Sequence, residues 1–405
     1  MRTYQETAEY LEEENVKFIR LAFFDAFGRQ KNIAIMPGEL RRAMEGGISF
    51  DASAVSGFAG DYQSDLFLRP DPDTISIVPW RPVDGRVTRM FCDVVNPDGT
   101  VNENDTRYLL KKAVRQAEQA GIHINCGTEI EFYVFRRDEN GNQTRIPLDQ
   151  AGYMDIDPED KGDNIRREIC FSLIEMGIIP EASHHEQGPG QNEIDFRYAS
   201  PLKAADNTST FKWAVKSIAD STGNWADFSP KPLHDHPGNG MHVNFSVKSD
   251  DGKDPFSAFM AGILKRIREI TLFLNPLRES YERFGKMEAP LYVSWSRENR
   301  SQLIRIPAVP VGEPRFELRS ADPCANPYLA LYLLIEAGLE GIEENLDPGE
   351  SMDFNLYQAQ PGVTAQIQKL PEQLGEAMQL ALYSDFVKKY VPEKILAAYC
   401  DPARR

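Results

Sequence analysis

The sequence is poor in cysteine: its 405 residues include only five, with no C-x-x-C pair. An odd number of scattered cysteines argues against a disulfide framework and against a zinc–thiolate site. A reducing compartment is expected, and the cytoplasm fits best.

Long apolar runs, a signal peptide and an excess of positive charge are also missing. The most apolar stretch, Leu329–Leu339, contains Glu336 and is too short to span a bilayer. The N-terminus is acidic, whereas a signal peptide begins with a basic region. Acidic residues outnumber lysine and arginine by 62 to 45, which gives a net charge of −17. This charge argues against a nucleic acid or an anionic membrane surface as partner.

The motif of the phosphate-binding P-loop, G-x-x-x-x-G-K-[ST], does not occur, and the G-N-G at residues 238–240 is only a weak loop signal. A phosphate site in this chain would have to be built from side chains. The sequence also contains no internal repeat and no low-complexity tract.

What the sequence does contain is four segments in which charged and apolar residues alternate with the period of a β-strand. They are residues 128–135, 181–198, 240–246 and 315–319. Because successive side chains of a strand point to opposite faces, Glu129 and Glu131 share one face. By the same alternation Glu193, His242 and Glu317 lie on the polar faces of their strands. We expect a sheet with one apolar face and one face crowded with charge.

Carboxylates crowded on one sheet face would need counter-ions. Two of them about 4 Å apart repel each other by roughly 4 kcal/mol at an effective dielectric constant near 20. Oxygen ligands with a single imidazole suit Mg²⁺ or Mn²⁺ better than zinc or copper. One such acidic residue alone is more simply explained as part of a solvated strand face. Convergence of several on one sheet favours a divalent metal site.

Arginines supply the second half of this argument. Six of them lie within 37 residues, at positions 283, 297, 300, 305, 315 and 319. Any one of them is equally well explained by surface ion pairing. However, guanidinium groups match phosphate and carboxylate oxygens, and divalent ions recur in phosphoryl transfer. Acids, metal and arginines together predict a nucleotide-phosphate site without a P-loop.

The length predicts two or three domains. The first hundred residues read as a small α+β unit, and we place the domain boundary near residue 100, giving residues 1–100 and 101–405. Beyond it the charged strands alternate with predicted helices, so the fold class is α+β. The predicted helices are Asn164–Met176, Ser209–Thr222, Ala258–Leu274, Tyr328–Asn345 and Glu372–Lys389.

Several longer phrases resemble glutamine synthetases of the bacterial type I class, in matching order and spacing from the N-terminal domain to about residue 395. They are F-D-A-S at Phe50, S-D-L-F-L-R-P-D at Ser64, E-I-E-F at Glu129, S-H-H-E at Ser183, G-Q-N-E at Gly190, P-K-P-L at Pro230, G-x-G-M-H at Gly238, E-A-P at Glu288, N-R-S-x-x-I-R-I-P at Asn299 and D-P-x-A-N-P-Y at Asp322. The resemblance implies a β-grasp-like N-terminal domain and a larger catalytic domain with a curved antiparallel sheet and flanking helices.

The resemblance also implies the roles of individual residues. One metal site would be formed by Glu131, Glu186 and Glu193, and the other by Glu129, His242 and Glu317. The glutamate and amine contacts would be Asp51, Tyr153, Glu186, Gly238, His242, Arg283 and Arg319. The ATP contacts would be Glu181, Tyr198, Asn244, Ser246, Arg300, Arg305 and Arg315, with Arg300 acting on the phosphoryl transition state. Glu288 would lie on a flap that closes over the intermediate.

The implied reaction is ATP-dependent formation of glutamine from glutamate and ammonia through γ-glutamyl phosphate, with Asp51 donated to the active site of a neighbouring subunit in a homo-oligomeric ring. Because the sequence stops at Arg405, without the C-terminal arm that joins two rings in many members, we expect a ring and leave the choice between a single and a double ring open.

Two positions depart from the usual family pattern: Pro237 replaces the usual asparagine of the glutamate loop, and Ala54 replaces a serine beside the amine site. These departures keep open a γ-glutamyl ligase of the same fold that uses a larger amine or an altered acid. A catalytically silent relative is a third alternative, although all six metal-ligand positions are intact.

Overall fold

The computed structural model describes residues 2–58, 64–286, 289–308, 314–401 and 403. Within them the chain forms two sheets, one in the N-terminal domain and one in the catalytic domain. The N-terminal strands are β1 (Val16–Phe24), β2 (Gln30–Ile35), β3 (Ile48–Asp51), β4 (Asp65–Pro70), β5 (Ser76–Ile77) and β6 (Arg86–Val95). This domain also contains the helices α1 (Tyr4–Glu13) and α2 (Leu40–Gly46).

The N-terminal sheet is mixed, with the strand order β2-β1-β6-β4-β3 and β5 paired to β6. Strand β1 runs parallel to β6 and antiparallel to β2. Helix α1 begins with a capping box, in which Thr3 and Glu6 satisfy each other's backbone amides. Ile19 and Leu21 of β1 are fully buried with Leu68 in a separate apolar core.

The catalytic sheet has the strand order β13-β14-β15-β12-β7-β10-β9, with β8 and β11 also paired to β7. Its strands are β7 (Ile122–Arg137), β8 (Gln143–Pro147), β9 (Pro180–His185), β10 (Gln191–Phe196), β11 (Asn224–Asp227), β12 (Met241–Ser249), β13 (Trp295–Arg297), β14 (Ile304–Ile306) and β15 (Phe316–Leu318). The strands pair antiparallel except for β13 with β14, which are parallel. The mixed α+β class is confirmed.

The catalytic domain also contains helices. They are α3 (Thr106–Gln119), α4 (Asp163–Glu175), α5 (Pro201–Ser221), α6 (Phe256–Leu274), α7 (Pro327–Glu343), α8 (Pro361–Thr364), α9 (Leu374–Tyr383), α10 (Asp385–Tyr390) and α11 (Glu393–Tyr399). Of these, α3 and α5 contact β7 and α6 contacts β12, and Ile130, Phe132 and Val134 of β7 are fully buried in the same core. The apolar face predicted from the alternation is therefore where these helices pack.

Two predicted helices differ from the structure. The helix predicted from Ser209 begins two turns earlier, at Pro201, because proline is well suited to the first turn of a helix. The helix predicted at 372–389 is divided at Ser384, whose extended backbone ends α9 and whose hydroxyl accepts from the amide of Val387 to start α10.

Arg107 of α3 joins the two domains. Its guanidinium donates to Asp206 on α5 at 3.0 and 2.9 Å and to Asp71 of the N-terminal domain at 3.1 Å. The side chain is only 1% exposed, so these bonds form away from water. No helix among the described residues is long and apolar enough to cross a membrane.

Candidate active site

Strand register brings the predicted acidic residues together. On β7, Glu129 faces His242 of β12, and Glu131 faces Glu193 of β10. On the other side of β12, Asn244 faces Glu317 of β15. Because residues two apart on a strand share a face, these side chains line one cleft on the polar face of the sheet.

The first group in this cleft consists of Glu129, His242 and Glu317, whose ligand atoms lie within 4.8 Å of one another. His242 Nδ1 is 3.5 Å from an oxygen of Glu129 and 3.4 Å from an oxygen of Glu317. These are the three residues that the family resemblance assigns to one metal site, and the structure brings them together.

The charge state of this group is set by opposing effects. Burial raises the pKa of Glu317, but the charges of Arg319, His242 and Arg305 outweigh it and lower the pKa to about 2. Burial likewise raises the pKa of Glu129, and a hydrogen bond from His242 with other favourable contacts brings it below its usual value. Both carboxylates are thus ionised at neutral pH, as metal ligands must be.

The second group is arranged differently from the predicted triad. Glu131 and Glu193 lie within 4.8 Å of each other and of His242, whereas Glu186 falls outside this group. Glu186 lines the same cleft as Glu131 and His242, and it lies 3.7 Å from His184. Burial, followed by repulsion from neighbouring carboxylates, raises the pKa of Glu193 well above its usual value.

Two polar residues of this cleft are absent from the predicted ligand set. His184 and Asp195 group with Glu193 within 4.8 Å. Nδ1 of His184 and one carboxylate oxygen of Asp195 are buried without a hydrogen-bond partner among the described residues. Buried atoms that lack a hydrogen-bond partner and lie between crowded carboxylates can serve as ligands of a bound cation. Because most of the ligand atoms here are oxygens, the set fits a divalent ion such as Mg²⁺ or Mn²⁺.

Next to the carboxylates the cleft becomes cationic, where the predicted glutamate contacts lie. Arg283, Arg319 and Gly238 line it together with Lys231 and Lys286, which the sequence analysis did not select. Gly238 is packed so closely that an added Cβ would lie 2.4 Å from the carbonyl oxygen of Pro230. Only glycine therefore fits at this point of the loop.

Tyr133 is a further residue that the sequence analysis passed over. Its hydroxyl donates to the carbonyl of Pro237 at 2.7 Å and holds the loop that carries Gly238. Tyr133 lies two residues after Glu131 on β7, so the alternation that selected Glu129 and Glu131 also points to it.

Two of the predicted nucleotide contacts touch carboxylates of the first group. Asn244 donates to Glu129 at 2.9 Å, and Arg305 is bonded to Glu317. Tyr198 is 68% exposed, as a platform for a planar ring would be. Glu181, Arg300 and Arg315 are exposed, and Ser246 is half-buried on β12.

Two predicted residues, Asp51 and Tyr153, do not line the cleft that the described residues of the single chain form. Asp51 is exposed at the end of β3, and its carboxylate accepts from the amide and hydroxyl of Ser53 at 2.9 and 2.6 Å. The ring of Tyr153 is half-exposed and lies 5.5 Å from the His184 ring. Glu288 lies outside the described residues.

A two-domain α+β chain with this cleft of carboxylates and arginines has the form of a metal-dependent ligase. Two family descriptions match it: "Glutamine synthetase, beta-Grasp domain" at residues 15–97 and "Glutamine synthetase, catalytic domain" at residues 103–405. The chain belongs to the glutamine synthetase family.

Curated relatives agree with this assignment. Glutamine synthetase of Methanosarcina mazei is 44% identical over 98% of this chain and 92% of its own length, and that of Clostridium saccharobutylicum is 43% identical over 98% and 93%. A solved complex of GmaS with ADP superposes with a TM-score of 0.87 at 27% identity, covering 97% of this chain and 94% of its own. Plasmodium falciparum glutamine synthetase, at 22% identity over 99% of this chain and 95% of its own, has the same fold with a TM-score of 0.86.

The chain is accordingly a glutamate–ammonia ligase, which forms glutamine from glutamate and ammonia with ATP. Family membership also implies that it uses divalent metal ions together with ATP. The reading as a catalytically silent relative is not supported, since the acidic cleft is assembled in the structure.

Proposed function

We propose that the cleft binds two Mg²⁺ or Mn²⁺ ions through the six residues identified in the sequence. Glu129, His242 and Glu317 would hold one ion, and Glu131, Glu186 and Glu193 the other. The observation that carries this proposal is the convergence of five of these residues from β7, β10, β12 and β15 on one sheet face, with Glu186 lining the same cleft. When bound, the ions would neutralise charge on the transferred phosphoryl group.

The arginines of the cleft would serve the two anionic substrates. Arg283 and Arg319 are buried beside the acidic groups, where they would grip the carboxylates of glutamate. Arg300, Arg305 and Arg315 would bind the ATP phosphates, with Arg300 at the transition state. Glu181, Tyr198, Asn244 and Ser246 would line the nucleotide pocket. The GmaS neighbour binds ADP, which supports a nucleotide site in this fold.

The reaction would proceed in two steps. The γ-carboxylate of glutamate attacks the γ-phosphorus of ATP, which releases ADP and leaves γ-glutamyl phosphate. Ammonia then attacks the acyl carbon, and phosphate leaves as glutamine forms. Asp51, Tyr153 and Glu186 would bind ammonium, and Asp51 would take its proton. Closure of the site by the segment around Glu288 would exclude the water that hydrolyses an acyl phosphate.

The exposed position of Asp51 supports a site shared between subunits. A carboxylate that hydrogen-bonds only to Ser53 among the described residues of its own chain can reach a neighbour's cleft if the chains form a ring. We further propose a homo-oligomeric ring in the cytoplasm and a domain boundary near residue 100. The family matches, which end at residue 97 and resume at residue 103, support the boundary.

Phosphate release tests the choice of amine. Purified protein with Mg²⁺ and ATP is offered glutamate with ammonium, methylamine, ethanolamine or putrescine. We expect ammonium to be strongly preferred. A preference for an alkylamine would instead support the γ-glutamyl ligase with a larger amine, and release with none of them would refute both.

Subunit mixing tests whether the site is shared. Asp51→Asn and Glu317→Gln chains, each inactive alone, are unfolded together and reassembled in equal amounts. If each site combines Asp51 of one chain with Glu317 of its neighbour, random mixing restores about one quarter of the sites. No recovery in reassembled rings would refute the shared site.

A further inference from the structure

A cavity of about 430 Å³ lies between the two domains, apart from the active site. One wall is formed by the N-terminal domain, through β1, β2 and the turn between them. The other wall is formed by α5 and by short segments that include residues 276–277 and 323–324. This volume is typical of sites for small molecules.

The cavity is cationic although the chain as a whole is strongly acidic. Arg20, Arg29, Lys212 and Lys216 line it, and none of its described lining residues is acidic. Arg81 adds a further positive charge close to Arg20. Burial lowers the pKa of Lys212 to about 8, as expected for an ammonium group without a carboxylate partner.

Three of these cations lie next to aromatic rings. The guanidinium of Arg20 lies 5.8 Å from the ring centre of Trp213, and that of Arg29 lies 5.8 Å from the ring centre of Phe27. The ammonium of Lys216 lies 5.7 Å from the ring centre of Phe228. None of the three forms an ion pair within the part of the chain that the structure describes. Their charge is thus held next to the cavity on apolar surfaces.

Two carboxyl groups lie close enough to these cations to interact with them electrostatically, but both accept hydrogen bonds from other groups. Asp25, near Arg29, accepts from the backbone amides of Phe27 and Arg29 itself. Asp322, which acts on Lys212, accepts from the amide of Cys324 and from the side chain of Asn275. Neither carboxyl group lines the cavity.

We propose that this cavity is a regulatory site for a small organic anion with a flat apolar portion. The anion would neutralise the cations, and its flat portion would pack among the aromatic rings. The binding site rests on the cavity and its lining alone. Its regulatory role rests in addition on the proposed function, through the role of Arg283 in glutamate binding.

A short segment connects the cavity to the glutamate pocket. Lys212 donates to the carbonyl of Pro323 at 2.6 Å, and Cys324 lines the cavity. Immediately before them, the carbonyl of Ser320 accepts from Arg283 at 3.1 Å. Arg283 lines the cleft in which glutamate is proposed to bind. An anion that draws Lys212 towards itself would therefore act on the segment that positions Arg283.

Binding of 8-anilinonaphthalene-1-sulfonate tests the site, with ADP and Mg²⁺ present to occupy the nucleotide pocket. We expect one probe per chain at this site and an affinity about tenfold lower in the Arg20→Gln/Lys216→Gln double variant. Lys388→Gln, which removes an exposed charge on α10, should leave the affinity unchanged. The uncharged N-phenyl-1-naphthylamine should bind about tenfold more weakly than the sulfonate.

Wild-type affinity in the double variant, or equal binding of the uncharged compound, would overturn the anion site. Thermal melting checks that the double variant is folded, and Lys216→Gln alone, at an exposed position, provides a second variant. The regulatory role predicts that saturating sulfonate probe changes the KM for glutamate at least about twofold in the wild type and not in the double variant. An unchanged KM in the wild type would overturn that role.

Discussion

Glu317 and Arg319 form a buried ion pair at the end of one short strand. Nη1 of Arg319 donates to Oε1 of Glu317 at 2.5 Å, and both side chains are 1% exposed. The same carboxylate is bonded to Arg305 and lies 3.4 Å from His242. Glu317 therefore contacts His242 of the proposed metal group as well as two arginines, Arg305 proposed for phosphate and Arg319 proposed for glutamate.

Replacing Glu317 by glutamine should lower both the rate of phosphate release and the free energy of unfolding. The variant loses a metal ligand, and we expect phosphate release to fall at least about a hundredfold. It also leaves two arginines without their anion, which should lower the free energy of unfolding in EDTA by roughly 3 kcal/mol. Denaturant titration and the phosphate assay measure both effects.

Glu340→Gln is the matched control, because Glu340 pairs with Lys265 and Arg266 on the helical side of the molecule. Its activity should be close to that of the wild type. Full activity in Glu317→Gln would show that the metal assignment is wrong.

Tyr133→Phe should act on the glutamate loop. Without the hydroxyl, the carbonyl of Pro237 loses its 2.7 Å donor and the loop at Gly238 is less firmly held. One such hydrogen bond contributes about 1 kcal/mol, so the KM for glutamate should rise about fivefold while kcat changes less. Tyr383→Phe, on an exposed tyrosine, is the control. Unchanged KM in Tyr133→Phe would contradict this role.

Arg107→Met should weaken the joint between the domains. Methionine fills part of the space but leaves the buried Asp206 without its guanidinium, and breaking such a pair typically costs about 3–5 kcal/mol. Arg41→Met removes an exposed pair with Glu45 and should cost less than about 1 kcal/mol. Denaturant unfolding measures both variants, and equal losses would contradict the account.

The raised pKa of Glu336 should make the free energy of unfolding depend on pH. Burial on α7 raises its pKa to about 7, against an ordinary value of 4.5. Between these two pH values the folded chain binds the proton more tightly than the unfolded chain, so the contribution of Glu336 to stability falls as pH rises.

Glu336→Gln removes this dependence. The variant should therefore gain stability relative to the wild type between pH 5 and pH 8, by up to about 2–3 kcal/mol. Thermal melting at several pH values measures the difference. A difference that stays constant with pH would show that Glu336 titrates normally.

The alternation of polar and apolar residues predicted one charged face on each strand, and the family resemblance supplied the assignment of individual residues to two metal groups. A strand places residues two apart on one face, so Glu129 and Glu131 could be assigned without knowing which strands pair. The neighbours of β7 could not be derived from alternation, because they depend on long-range register. Glu186 follows the last residue of β9, so strand register does not fix its position, and it lies outside the group formed by Glu131, Glu193 and His242.

Residues whose role depends on a loop path, on buried contacts or on a second chain were the hardest to predict. Lys231 lies outside the alternating segments, and its place in the cleft depends on the path of a loop. Asp195 shares the polar face of Glu193 by strand alternation, but only the structure shows that one of its oxygens is buried without a hydrogen-bond partner among the described residues. The proposed role of Asp51 depends on a second chain, so neither the alternation nor the structure of one chain places it in the cleft.

Anomalous scattering from a crystal grown with Mn²⁺ and ADP tests the central claim most directly. The account predicts two manganese peaks in the cleft, one bounded by Glu129, His242 and Glu317 and the other by Glu131, Glu186 and Glu193. Glu186 would turn towards the second ion as it binds. A single peak, or manganese held elsewhere than by these two groups, would contradict the account.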